Sequence, residues 1–165
     1  MKPTQILFVC LGNICRSPSA ETVMNEFLKK EGLNTIVKTD SAGLIDFHAG
    51  EPADSRSRMH AQKRGYRITH LSRQIIPKID FELFDMIICM DAKNMKELRK
   101  IAPNESGLKK LFLMTDFRQD LSFNHVPDPY YGGADDFELV LDILEDSCKG
   151  LIKHIRLTYL NNCRC

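Results

Sequence analysis

Three features of the sequence predict an α/β fold: a single domain with a four-stranded parallel sheet and helices on both faces. Short apolar runs alternate with segments of helical period along the chain. No internal repeat, low-complexity tract or linker interrupts that alternation. The chain has 165 residues, which suits one domain spanning residues 1–165 and buries a sizeable core without staples.

Each element has its own signal. Ile6-Leu7-Phe8-Val9 is a continuous apolar run, the pattern of a strand buried on both faces. After a polar loop, Ala20, Val23, Met24, Phe27 and Leu28 share one helix face, and Gly32 stops that helix. Thr35 to Thr39 reads as a weaker second strand. Residues 42–53 read as a surface loop, and Asp54 as the cap of a helix running to about Gly65. Met86 to Met90 is the third strand. Met95, Leu98, Ile101 and Ala102 mark a helix ended by Pro103. Leu111 to Met114 is the fourth strand. Residues 115–135 hold two prolines and a Gly-Gly pair, so a long loop is expected, a length usually reserved for function. Phe137, Val140, Leu141, Leu144, Cys148, Leu151, Ile152 and Ile155 mark a long last helix.

Composition excludes several roles. Lys and Arg total 23 against 22 Asp and Glu, so no general basic surface speaks for nucleic acid or membrane as partner. No apolar run approaches a membrane span, and the N-terminal run is too short for a signal sequence, so a cytoplasmic location is expected. The six cysteines are then reduced thiols rather than a disulfide framework. Asn162 in the fourth position from the end excludes a prenylation box, which leaves Cys163 and Cys165 without a clear purpose.

In such sheets ligands bind beyond the carboxyl ends of the strands, which points to a Rossmann-like phosphate-binding loop after strand one. That loop reads Cys10-Leu11-Gly12-Asn13-Ile14-Cys15-Arg16-Ser17-Pro18. Pro18 fits the first helical position and Ser17 the cap before it. A helix N-terminus offers unpaired N–H groups to an anion. Gly12 permits a tight backbone, and Asn13 tolerates a left-handed one. Leu11, Gly12, Asn13, Ile14, Cys15 and Ser17 are thus expected to line a phosphate nest, with Arg16 adding a bidentate fork. Cys10, beside a helix N-terminus and an Arg, is expected to be a thiolate placed for in-line attack on phosphorus. Cys and Arg six apart occur by chance in many chains; the strand–loop–helix setting gives this pair its weight.

CLGNICRSP resembles the active-site loop of the low-molecular-weight protein tyrosine phosphatases, and the similarity runs over nearly the whole chain. Ser41-Ala42-Gly43, Thr69 to Gln74, Cys89-Met90-Asp91 and Asp128-Pro129-Tyr130-Tyr131-Gly132 resemble further segments of that family. The resemblance implies hydrolysis of phosphotyrosine proteins or small aryl phosphates through a phosphocysteine on Cys10, with no metal and no cofactor. Inorganic phosphate and vanadate are the expected inhibitors, and a monomer is the expected state.

Asp128 is the expected general acid and base. Taken alone, an Asp before Pro is a common turn former; the Asp-Pro-Tyr-Tyr match gives it the catalytic role. Its proton is expected to be held by substrate charge or burial. Tyr130, Tyr131 and, by position in the family, Phe47 are expected to flank an aromatic ring. Ser41 and His70, with Asn13 and Ser17, are expected to support the loop. Asp91 reads as structural. Cys15 either packs or closes a reversible disulfide with Cys10 under oxidant, and the resemblance favours the second role. Cys89 and Cys148 read as core residues. Two rival functions remain. An arsenate reductase would need a pair of further cysteines beyond strand three, where only Cys89 stands. A phosphotyrosine-binding module without turnover would be expected to lack the nucleophile or the acid.

Overall fold

The computed structural model describes residues 2–160. Its strands are β1 (Thr4–Cys10), β2 (Val37–Gly43), β3 (Met86–Cys89) and β4 (Leu111–Leu113). The helices are α1 (Arg16–Lys30), α2 (Ser55–Lys63), α3 (Pro77–Leu83), α4 (Ala92–Ile101), α5 (Glu105–Leu108) and α6 (Ala134–Ile155). The strands run parallel in the order β2-β1-β3-β4. The chain leaves β1 towards β2 and returns on the other side to form β3. The switch point therefore lies at the carboxyl ends of β1 and β3.

The alternation of side chains along β1 builds two cores. Ile6, Phe8 and Cys10 pack with the apolar faces of α1 and α6, while Leu7 and Val9 pack with Phe81 of α3 and Leu98 of α4. Both faces are covered, which is why β1 reads as an unbroken apolar run. Cys89 and Cys148 are fully buried in these cores, as their apolar settings predict. No helix among the described residues is long and apolar enough to cross a membrane.

Several elements differ from the sequence reading. The second strand runs from Val37 to Gly43, so Ser41, Ala42 and Gly43 lie within the sheet opposite Phe8, Val9 and Cys10, and Ala42 and Gly43 are not part of the loop expected over 42–53. Small residues carry no strand signal of their own; this stretch is held by pairing with β1. The long loop is shortened by a 3-10 turn at Met114–Phe117. The short helices α3 and α5 had no periodic signal. Beyond α6 a π-helical turn spans Arg156–Leu160. Asp54 caps α2 as expected, its side chain accepting from the Arg56 amide. Cys163 and Cys165 lie outside the described residues.

The last helix meets the 3-10 turn with no room for a side chain at Gly150. A Cβ there would stand 1.8 Å from the Phe117 carbonyl oxygen. Gly150→Ala should therefore lower stability by about 1–3 kcal/mol, the usual cost of overpacking, despite alanine's better helix propensity. A urea-denaturation midpoint equal to or above that of the wild type would contradict this close contact.

Candidate active site

The loop between β1 and α1 stands at the switch point, and its carbonyls are tied down on the outside. The Cys10 and Leu11 oxygens accept from the Leu44 and Ile45 amides, and the Gly12 oxygen accepts from Ser72 Oγ. The Ile14 oxygen accepts from the Asp54 amide, and the Cys15 oxygen from the Ser19 amide and hydroxyl. The backbone N–H groups of Gly12 to Arg16 donate to no acceptor among the described residues. A loop with its carbonyls spoken for and its amides free is an anion nest.

Helix α1 starts at Arg16, two residues earlier than Pro18 and Ser17 suggested, with Cys15 as an N-cap that supplies no side-chain hydrogen bond. Its first turn carries no acidic residue. A capping oxygen would occupy the amides that an anion needs, and here none does. Asn13 is the one non-glycine residue with a left-handed backbone among those described, at φ 57°. Gly12 is not left-handed; it is small because a Cβ would press on His48 at 3.3 Å. Gly43 likewise lets β2 run close under the loop, where a Cβ would meet the Leu11 oxygen at 3.0 Å.

Cys10 is 3% exposed at the bottom of a cavity of about 230 Å³. Its sulfur lies 3.0 Å from Ser17 Oγ, which itself accepts from Asn13 Nδ2 at 2.8 Å. The Ser17 hydroxyl thus links the Cys10 sulfur to the Asn13 side chain. Arg16 is also 3% exposed and is held from behind by Asp91 at 2.6 Å and the Val126 carbonyl at 3.1 Å. Burial works against its charge, but Cys10, Asp91 and Asp128 outweigh it and hold the guanidinium firmly protonated. Asp91 caps α4 through the Asn94 amide and, despite partial burial, is kept below the usual carboxylate range by that bond and by Arg16. It is thus more than a strand-end residue: it aims Arg16, and it stays ionised.

Asp128 is a carboxylate of a different kind. It lines the cavity 3.7 Å from the other Arg16 nitrogen, and its side chain is 44% exposed. Its Oδ1 accepts from the Tyr130 amide. Leu11, Ile14, Phe47, Tyr130 and Tyr131 also line the cavity, so the aromatic positions foreseen in the sequence meet at its mouth. Ile45 and His48 join them, unforeseen because they fall in a segment with no pattern. Cys15 lines the cavity too, but burial pushes its thiol up to about 12, only partly eased by a hydrogen bond from Ser57.

The support behind the loop is wider than Ser41 and His70. The Asn13 amide group donates to Ser17 and Ser41 hydroxyls, and its Oδ1 accepts from His70 Nε2 at 2.9 Å and the Arg73 amide at 3.0 Å. Ser41 donates on to Glu21 at 2.6 Å. His70 Nδ1 faces Glu21 at 3.3 Å and Asp40 at 3.6 Å. Glu21, Asp40 and His70 are the one set with metal-ligand spacing among the described residues. Their polar atoms are already engaged by Ser41, Arg73 and Asn13, which makes them struts. With Nε2 donating to Asn13, Nδ1 is the ring nitrogen that faces the two carboxylates. Burial pushes Glu21 up from 4.5 to about 7, the Ser41 bond pulling the other way.

A carboxyl raised on folding favours the protonated native state, so its contribution is full below about 4.5 and is lost as pH rises through about 7. Burial holds His70 below its ordinary value, which gives the opposite slope. The difference between wild type and Glu21→Gln isolates the carboxyl. Relative to wild type, E21Q should gain stability as pH goes from 5 to 8, read from urea midpoints. A constant difference across that range would refute the buried proton.

The family model described as low molecular weight phosphotyrosine protein phosphatase matches residues 5–159. Low molecular weight phosphotyrosine protein phosphatase 1 of Drosophila melanogaster is 41% identical over 150 residues, covering 90% of this chain and 95% of that protein. A crystal structure of a protein tyrosine phosphatase from Entamoeba histolytica superposes with a TM-score of 0.89 at 44% identity, covering 96% of this chain and 99% of the other. A crystal structure of a Drosophila arginine phosphatase superposes with a TM-score of 0.85 at 31% identity, covering 94% and 98%. Fold, phosphate loop and sequence likeness over nearly the whole chain agree: it belongs to the low molecular weight phosphotyrosine protein phosphatases.

Proposed function

We propose that the chain hydrolyses phosphotyrosine and small aryl phosphates in two steps through a phosphocysteine on Cys10. The observation that carries this reading is the convergence of Cys10, Arg16 and Asp128 in one cleft, at a helix N-terminus that no side chain caps. The phosphoryl group sits on the free amides of residues 12–16, with Arg16 gripping two of its oxygens. The Cys10 thiolate attacks phosphorus in line, the S–P bond forms, and the P–O bond to the phenol breaks. Asp128 gives its proton to the departing oxygen. As a carboxylate it then takes a proton from water, the water oxygen attacks phosphorus, and the S–P bond breaks to release phosphate. Asp128 is half exposed at the cleft, 3.7 Å from Arg16. Asp91, ionised and tied to Arg16, is unsuited to donating a proton.

The walls support an aryl leaving group. Leu11, Ile14, Ile45, Phe47, Tyr130 and Tyr131 give the cleft an apolar rim, and Asp128 is its one carboxylate. A guanidino leaving group, as the name of the Drosophila arginine phosphatase suggests for that protein, would find no second acidic partner here. Arsenate reduction would need resolving thiols. Cys89 and Cys148 are fully buried away from the cleft, and burial pushes Cys89 up to about 12. The four free thiols among the described residues suit the reducing cytoplasm. The scheme uses no metal or cofactor, and phosphate and vanadate compete with substrate for the nest.

Cys10→Ser should abolish turnover and keep phosphate binding, because amides and Arg16 remain. Near wild-type turnover in that variant would remove Cys10 from its role. Asp128→Ala should slow the first step by about a hundred- to ten-thousand-fold on phosphotyrosine and by much less on nitrophenyl phosphate, whose leaving group needs little protonation. Equal single-turnover losses on the two substrates would sink Asp128 as the acid.

A further inference from the structure

Behind the acid loop, five side chains form a continuous column. The His60 and Phe137 rings stack at 5.6 Å and 7°, and the Arg56 guanidinium lies over Phe137 at 4.8 Å. The same guanidinium lies over the Tyr130 ring at 5.5 Å, and Tyr130 meets Tyr131 edge-on at 4.9 Å. Arg56 is the only permanently charged member, and it is fixed. Asp54 takes its Nε at 3.1 Å and its Nη2 at 2.9 Å, a bidentate clasp. The Asp54 amide in turn donates to the Ile14 carbonyl of the phosphate loop. Phe137 packs on Ile14 and Cys15 from the other side.

We infer that Arg56 is a positioning residue for the general acid. Its fork is anchored to the phosphate loop through Asp54, and its flat face holds the Tyr130 ring. The Tyr130 amide donates to Asp128 Oδ1 at 3.1 Å, so the placement of Tyr130 sets the placement of the carboxyl. The acid loop is anchored before Asp128 at Val126, whose amide donates to the Met90 carbonyl and whose carbonyl accepts from Arg16, and after it by the Gly132 amide donating to the Pro129 carbonyl. Pro127 and Pro129 donate no backbone hydrogen bond, and Tyr131 is 95% exposed. The column thus ties the group that donates the proton to the loop that holds the phosphate. Arg56 does this from outside the cleft, of which it is not a lining residue.

This inference rests on Asp128 being the acid, and the experiment separates the two. Single-turnover rates are measured on phosphotyrosine and nitrophenyl phosphate for wild type, Arg56→Met, Arg56→Lys and Asp128→Ala. Arg56→Met keeps an apolar stem against Phe137 and loses the charged fork. It should lose about 3- to 10-fold on phosphotyrosine, the scale of a partly exposed cation–π contact turned into rate, with under about 2-fold on nitrophenyl phosphate. The inhibition constant of inorganic phosphate should stay at its wild-type value, because the nest is intact. Arg56→Lys keeps charge but lacks the planar fork, and should fall between wild type and Arg56→Met; it carries the test alone should Arg56→Met not fold. Equal losses on both substrates, no loss at all, or a parallel fall in phosphate affinity would each overturn the inference. If Asp128→Ala itself fails to discriminate the substrates, the acid assignment falls and this inference with it. If Asp128→Ala discriminates and the Arg56 variants do not, this inference alone falls.

Discussion

The site depends on one backbone bend, the left-handed turn at Asn13, and on the hydrogen bonds that hold it there. A non-glycine residue at φ 57° is an unfavourable conformation that needs outside support. Here the support is complete: both amide hydrogens of Asn13 are donated, and its oxygen accepts twice. These bonds explain why Ser17 and Ser41 are fully buried polar residues and why His70 is turned inward. They also explain how the loop can keep its own amides unspent. The carbonyls are fastened outward to Leu44, Ile45, Ser72 and Asp54, so the chain is rigid without using the donors that face the cleft. Preorganised amides cost no reordering when an anion arrives.

Charge is divided along the same lines. Arg16 lies between two carboxylates that it treats differently. The pair with Asp91 is short and doubly supported, since Asp91 is also the cap of α4, and it fixes the direction of the guanidinium. The contact with Asp128 is longer and open to solvent, so it holds that carboxyl less firmly. The distinction needs no unusual chemistry. It follows from one acid being placed at a strand end inside the fold and the other on a loop over its edge.

Much of this was legible in the residues. The β1 run, the Cys10–Arg16 loop and the apolar face of α6 all carry strong local patterns, and each lies where those patterns place it. The misreadings have physical reasons. Ala42 and Gly43 read as loop because strand pairing with β1, rather than β-branched side chains, keeps them extended. Ser17 looked like a cap by residue type, but its hydroxyl serves the Cys10 sulfur and Asn13 instead. Pro18 sits two positions inside α1 rather than at its first, where its missing N–H still costs little. Glu21, Asp40 and Arg73 carry no sequence signal as parts of the site, and Asp91 reads only as structural, because their roles come from contacts 20 to 75 residues apart. Glu21 and Arg16 share the first turns of α1, and that alone could have marked Glu21 as close to the loop.

The edge-on tyrosine pair at the mouth of the cleft has an optical consequence. The chain has no tryptophan and four tyrosines, so its ultraviolet emission comes from tyrosine alone. Tyr66 is buried with its hydroxyl on Glu145, a carboxylate contact that quenches phenol emission. Tyr130 and Tyr131 stand in the opposite setting, edge-on to each other at the rim of the cleft, with Tyr131 almost fully exposed. The protein thus carries its own fluorophore at the entrance to its catalytic cleft, and occupancy can be followed by light without attaching a label.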